Sequence, residues 1–338
     1  MPDGEPLPVG KLKLEALDAL LAGLAGGDPS VLEGPGVGHD VAVLDHGGPM
    51  LLVAKTDPIT FATDEIGFYA VAVNSNDIAT CGGRPRWMLV TALLPAGRAD
   101  DALARDIFAQ LSAACSRFGV SLVGGHTEVT AGLDRPILVA TMLGEVARDR
   151  LLTPAGARPG DAILLTKAVA VEGTSLLARE LRADLLARGF DAAFLERCAA
   201  MLHDPSISVL REAEAAVATG GVHAMHDPTE GGVATALWEL AVASSARIVA
   251  DPAAVPILPE CRRLCDEFRI DPLGLIASGS LLIACAPEAA DAVCAAVLAR
   301  GVACRPIGSV AACDGARVLD PSGALWPRFD QDELTHVF

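Results

Sequence analysis

The stretch VNSNDIATCGGRP at residues 73–85 is the one around which the rest of the chain organises. It reads as the second half of a helix that begins near Thr63. Thr63 can cap the N-terminus, and Asp64 and Glu65 stand in the first turn, where the helix dipole favours carboxylates. Gly82 and Gly83 stop the helix and Pro85 follows. Gly67, Ala70, Asn74, Asp77 and Cys81 share one helical face, small and then polar, in an otherwise apolar segment. Buried Asn and Asp need partners. Asp77 therefore either meets a charged ligand, such as a metal ion with a phosphate, or is a hydrogen-bonded core residue holding a neighbouring loop.

The 338 residues are enough for two domains, and a 51% hydrophobic composition with 33 glycines makes a packed core easy to form. A net charge of −17 argues against nucleic acid or an anionic membrane as a general partner. An anionic ligand must then be held by local groups or by a metal. Lysine is scarce, with Lys11, Lys13, Lys55 and Lys167 the only four. The nine cysteines include no CxxC pair; Cys261 and Cys265, four apart in a helical pattern, are either half-buried helix positions or metal ligands. The sequence shows neither a basic-then-apolar leader nor a run of about 18 apolar residues, so the expectation is a reduced, cytoplasmic protein without a membrane span.

Outward from the central helix, residues 11–24 show one apolar face and predict a helix. The glycine-rich run 34–38, ahead of a strand at 41–44, either brings backbone N–H groups to a phosphate or is an ordinary loop. A strand at 50–54 delivers Lys55-Thr56-Asp57 at its end. After the helix come a strand (86–94), an amphipathic helix (100–119), a strand (120–123) leading to Gly124-Gly125-His126-Thr127-Glu128, and a strand (136–146). This is an α+β unit, mostly antiparallel. Pro/Gly-rich texture at 147–162 suggests a joint, placing one domain at 1–148 and a second at 149–338. The second half reads as a strand (162–166), helices at 172–188, 193–201 and 206–219, the segment 226–232, a helix (233–244), strands near 247–250 and 279–285, a helix (287–299) and a strand at about 305–310.

Five short motifs set acidic or polar groups at element ends: Gly38-His39-Asp40, Lys55-Thr56-Asp57, Asn74–Asp77, Gly124–Glu128 and Asp227-Pro228-Thr229-Glu230-Gly231-Gly232. Taken singly, each suits a turn with a capping Asp. Together, carboxylates from separate elements suit Mg²⁺ bridging a triphosphate, and 227–232 looks like a loop entering a helix N-terminus, a natural phosphate seat. The ordered series GxGxD-AV, TD, NDIA-x-GG-x-P, GGxT, RPGD and DPT-x-GG resembles the AIR synthase-like (PurM-like) ATP-binding superfamily, over about residues 34–308. Asp227–Gly232 and Asp271-Pro272-Leu273 look most like its HypE branch of hydrogenase maturation factors.

The resemblance implies a two-domain α+β fold in which the N-terminal domain pairs with that of a second subunit into a barrel, giving a homodimer with ATP and Mg²⁺ between the domains. It implies Asp40, Asp57, Asp77 and Asp227 as metal carboxylates, and Gly36 and Gly38 over the phosphates. Asn74, Gly124, Gly125, Thr127 and Thr229 would join them at the cofactor, with Lys55 neutralising phosphate and Lys167 facing the acceptor. The activity implied is ATP-dependent phosphorylation or activation of an amide, carbonyl or phosphate oxygen on a small-molecule acceptor. A hydrogenase maturation factor, with a maturation partner protein, and a non-catalytic nucleotide-binding regulator are the alternatives.

Three departures stand out. His126 occupies a place where relatives carry Asp or Glu; imidazole is a poor Mg²⁺ ligand, so Glu128 substitutes, or His126 contacts phosphate or acts in acid–base chemistry, or it is structural. His39 replaces the first Asp of the usual pair. The chain ends Thr335-His336-Val337-Phe338 where the HypE branch ends in cysteine, and Ala277-Ser278-Gly279-Ser280 replaces that branch's Asn-Glu-Gly. The expectation is a protein that acts on a free small molecule and carries no carbamoyl group on itself.

Overall fold

The computed structural model describes residues 9–21, 27–313, 315 and 317–338. Helix α1 (Leu14–Leu21) precedes strands β1 (Val31–Glu33), β2 (Ala42–Leu44) and β3 (Met50–Ile59). Then come α2 (Ile66–Thr80), β4 (Arg84–Pro95), α3 (Asp101–Phe118), β5 (Ser121–Thr130) and β6 (Ile137–Ala147). After two 3₁₀ turns the chain continues through β7 (Ala162–Thr166), α4 (Val171–Glu180), α5 (Arg182–Ala187), α6 (Ala192–Ala200) and α7 (Leu210–Thr219). It closes with β8 (Val222–His226), α8 (Gly232–Ala243), β9 (Arg247–Ala250), α9 (Pro259–Phe268), β10 (Leu282–Cys285), α10 (Ala290–Leu298), β11 (Cys304–Ala311) and β12 (Arg317–Leu319). Of the helix expected over 11–24, the stretch 22–24 lies outside the described residues.

Two six-stranded sheets result, ordered β1-β2-β3-β6-β4-β5 and β12-β9-β11-β7-β10-β8. The first is antiparallel except for β4 with β5, the second except for β12 with β9. Every residue of α2 is buried, its first half apolar all round and the polar residues of its second half enclosed with it. One side packs on β3, β4 and β6; other sides meet α3, α7 and β8. Gly67 allows the α3 contact, since a Cβ there would come within 2.7 Å of Leu111 N. The helix thus lies between the two sheets, and Asn76 ties it to the C-terminal half: Nδ2 donates to Ile207 O at 2.8 Å, and Oδ1 accepts from Val209 N at 2.9 Å.

The start of α2 differs from the sequence expectation. The helix begins at Ile66, behind Glu65 at φ 59°. Thr63 does not cap it; the Thr63 hydroxyl and the backbone N–H groups of Thr63 and Asp64 donate to the Glu180 carboxylate at the end of α4. A long-range carboxylate has displaced the local cap. The C-terminus is as expected: Gly82 has φ +76°, and a Cβ there would meet Arg150 O at 2.6 Å. The sequence reading passed over β1, β8 and β12 as separate elements, and of α9 it saw only the helical spacing of Cys261 and Cys265. β8 is short and carries two histidines, and β12 has three residues, pairing parallel with β9 and turning back antiparallel at Leu319–Leu325.

Candidate active site

A cleft of ≈ 700 Å³ opens between the end of β3, the glycine-rich loop, Asp77 of α2, the segment after β8 and Glu239 of α8. Its floor follows from strand periodicity. The face of β3 that buries Leu51 and Val53 against α2 next presents Lys55 and then Asp57, past the end of the apolar contact. Lys55 Nζ lies 3.2 Å from Asp57 and 3.2 Å from Asp77 of α2. Asp40 arrives from the glycine-rich loop, and Asp227 from the segment after β8. One carboxylate oxygen from each of Asp40, Asp77 and Asp227 falls within 4.8 Å of the others.

Three buried oxygens in this cluster, Asp77 Oδ2 and both of Asp227, have no hydrogen-bond partner. Buried carboxylate oxygens are not left so without cause. A convergent, oxygen-only donor set suits a hard cation such as Mg²⁺. The electrostatics agree. Burial, then the repulsion of Asp40, pushes the Asp227 carboxyl up to about 7. Burial raises Asp77 well above the usual carboxylate range. Burial works against the Lys55 ammonium, yet Asp77, Asp57, Asp40 and Asp227 together hold its pKa well above that of a free lysine. The cluster has too much negative charge for one ammonium.

A hydrogen-bonded chain supports it from behind. His226 Nδ1 lies 2.8 Å from Asp40 Oδ2, and Nε2 lies 3.0 Å from Glu239 of α8. Glu239 in turn pairs at 2.7 Å with Lys11 Nζ at the edge of the cleft. Burial opposes ionisation of Glu239, but Lys11 and His226 draw its carboxyl down to about 2. Burial opposes charge on His226, and Asp40 and Glu239 nevertheless raise it well above a free imidazole. Gly36 and Gly38 line the cleft; Gly38 has φ +76°, and a Cβ there would strike Glu239 O at 2.8 Å. His39 serves the loop, its Nδ1 lying near Gly34 O and Glu33.

Asp40, Lys55, Asp57, Asp77, Asp227, Gly36, Gly38 and Thr229 are thus brought together. Other expected residues are not. Asn74 is fully buried, its Oδ1 accepting from Asp57 N at 3.0 Å and its Nδ2 donating to Ala70 O, so it fixes the end of β3 instead of meeting a ligand. Lys167 is buried in the C-terminal half, paired with Glu212 at 2.6 Å and donating to Ser208 O and Gly279 O, and does not face the cleft. Gly124, Gly125, His126, Thr127 and Glu128 lie on β5, the exposed edge strand, outside the cleft of their own chain. There His126 Nε2 is 3.2 Å from Glu128. The N-terminus of α8 is not an open phosphate seat, because Gly231 N donates to Asp332 and Ala234 N to Leu273 O. Cys261 and Cys265 are buried with their sulfurs 3.9 Å apart.

His226, Glu239 and Lys11 escaped the sequence reading. Glu239 carried a usable signal, a single acid inside the apolar helix GVATALWELAVA. His226 adjoins Asp227, but nothing local distinguishes it from a core histidine.

Comparison with known proteins identifies relatives of this chain. Residues 38–146 match the family model for the N-terminal domain of AIR synthase related proteins, and 158–320 that for the C-terminal domain. The carbamoyl dehydratase HypE of Cupriavidus necator is 32% identical over 282 residues, 81% of this chain and 77% of that protein. The HypE of Rhizobium leguminosarum is 32% identical over 81% of this chain and 75% of its own length. A crystal structure of the hydrogenase maturation protein HypE in complex with ATP superposes with a TM-score of 0.69 at 28% identity, covering 90% of this chain and 91% of that one. A ThiL structure complexed with AMPPCP and TMP, 18% identical, shares the fold with a TM-score of 0.72, over 94% of this chain and 96% of its own. Among the described residues no helix is long and apolar enough to cross a membrane.

Proposed function

Since the chain belongs to the AIR synthase related protein family, we propose that it is an ATP- and Mg²⁺-dependent enzyme that activates the oxygen of an amide, in a carbamoyl dehydration of the kind its HypE relatives are named for. The observation that carries this reading is the set of unpartnered carboxylate oxygens of Asp77 and Asp227 beside a buried lysine at the floor of the cleft.

Asp40, Asp77 and Asp227 would hold Mg²⁺, which supplies charge neutralisation to the phosphate oxygens when bound. The chain's own residues do the positioning. Lys55, fixed between Asp57 and Asp77, sets a permanent cation beside the transferring group. His226 holds Asp40 in place, and Gly36 and Gly38 let the backbone approach the nucleotide. The amide oxygen takes the phosphoryl group and ADP leaves. Loss of phosphate and of both amide protons then leaves a nitrile.

The reading includes a homodimer formed through the first sheet. Exposed Val123 and Val129 on the unpaired edge β5 support it, since such an edge needs covering. It also includes a division of the chain at 148/149, an acceptor carried on a small molecule, and a maturation partner that supplies the carbamoyl group.

Titration calorimetry with ATP tests it. Binding is expected with Mg²⁺ and lost in EDTA, and Asp77→Asn is expected to weaken it at least tenfold while melting unchanged or higher. Equal affinity in the variant would remove Asp77 from the site.

A further inference from the structure

Past Asp57 the cleft continues into a smaller chamber under α4. It is lined by Thr60, Tyr69, Val73, Glu172, Ile276 and Ser278, and shares Asp57, Thr229 and Glu230 with the main cleft. A group seated there adjoins the carboxylate that steadies Lys55. The chamber offers ≈ 50 Å³ to water-sized bodies. At about 10–15 Å³ for one water, that is room for three or four heavy atoms. A planar carboxamide has this size; an adenine or a sugar does not.

Its polar groups are few and buried. Glu172, 5% exposed, accepts from Ser278 N through Oε2 at 3.2 Å. Tyr69, 1% exposed, has a hydroxyl with no hydrogen bond of good geometry. Asp57 and Glu230 are the other titratable groups lining it, and no lysine or arginine does so among the described residues. Burial raises the Glu172 carboxyl to about 8, and Glu230 and Asp332 push the same way. A phosphate or carboxylate entering this space would meet buried acids and a few hydroxyls, with no cation to neutralise it. A neutral group with N–H donors and a carbonyl would meet complementary partners.

We propose that this chamber is the acceptor subsite, that it admits a neutral carboxamide and excludes anions, and that Glu172 and Tyr69 select that group. This rests on the reading of the protein as an amide-activating, ATP-dependent enzyme. The amide nitrogen faces Glu172, which leaves the oxygen on the Asp57 side, where the phosphoryl group arrives.

The test is binding of S-ethyl thiocarbamate to the full chain holding AMPPCP and Mg²⁺, followed by saturation-transfer NMR, with AMPPCP affinity measured separately by calorimetry. The wild type is expected to bind the thiocarbamate, and neither acetate nor inorganic phosphate should compete. Glu172→Leu and Tyr69→Phe should each weaken it, the first at least tenfold, with AMPPCP affinity within twofold of wild type. Glu172→Gln, which keeps hydrogen bonding, should bind within threefold of wild type and guards against a folding artefact. Equal thiocarbamate affinity in wild type, Glu172→Leu and Tyr69→Phe would overturn the subsite while leaving the functional reading intact. So would competition by acetate. A wild type that binds AMPPCP but no thiocarbamate overturns the subsite and the choice of acceptor, and one that binds no AMPPCP overturns the functional reading itself.

Discussion

Glu172→Gln should stabilise the nucleotide-free protein, and only at high pH. The native carboxyl titrates near 8 against an ordinary 4.5, chiefly because it is buried. The unfolded chain therefore ionises first. Between pH 4.5 and 8 the native state holds a proton that the unfolded state has lost, so wild-type stability falls as pH rises through this window and stays low above it. At about 1.4 kcal/mol for each tenfold change in proton affinity, the rise from 4.5 to about 8 caps the effect at about 5 kcal/mol. Glutamine keeps an oxygen for Ser278 N and never ionises. Its own amide must still be buried, so a net gain of about 2 kcal/mol at pH 8.5 is expected. At about 2.1 cal/mol/K of unfolding entropy per residue, for a chain of 338 residues that corresponds to about 3 °C in Tm. Thermal unfolding in EDTA at pH 5, 7 and 8.5, for wild type and variant, checks it. The two melting curves should nearly coincide at pH 5 and separate by pH 8.5. A difference independent of pH, or a variant less stable than wild type at pH 8.5, would refute the reasoning.

Two further outcomes test the frame around the site. Gly38→Ala should cost about 2 kcal/mol and weaken ATP binding, since φ +76° disfavours alanine and its Cβ would press on Glu239 O; an unchanged melting temperature in calorimetry would contradict the loop placement. Light scattering at micromolar concentration should give twice the 34.7 kDa chain mass, and Val123→Glu with Val129→Glu should halve it; a monomeric wild type would count against the homodimer.

The sequence exposed the parts of this site that obey short-range rules. Lys55 and Asp57 follow from strand alternation, Asp77 from a polar position in an apolar helix, and Asp40 and Asp227 from residues at element ends. Errors arose where a long-range partner decided the outcome. Asn74 looked like a ligand because the backbone of Asp57, seventeen residues away, was invisible as its partner. Lys167, just after β7, was expected to face the acceptor because its partner Glu212 lies far along the chain on α7. Thr63 looked like a cap until Glu180 arrived from α4. Ser278 illustrates the same limit: the sequence loses a glutamate at this segment, and only the fold reveals that Glu172 brings a carboxylate to its backbone. Residues on β5 cannot be assigned by position alone, since a strand edge exposed in one chain is a surface that a second chain can cover.

Asn76 and Asp77 are neighbours on α2, and that adjacency limits how the protein can breathe. Asn76 bolts the helix to the backbone at Ile207 and Val209, while Asp77 faces the cleft beside Asp40 and Asp227. Parting the two halves like a clamshell would snap both Asn76 bonds and drag Asp77 away from Asp227, so the act of opening would dismantle the very grip that opening was meant to load.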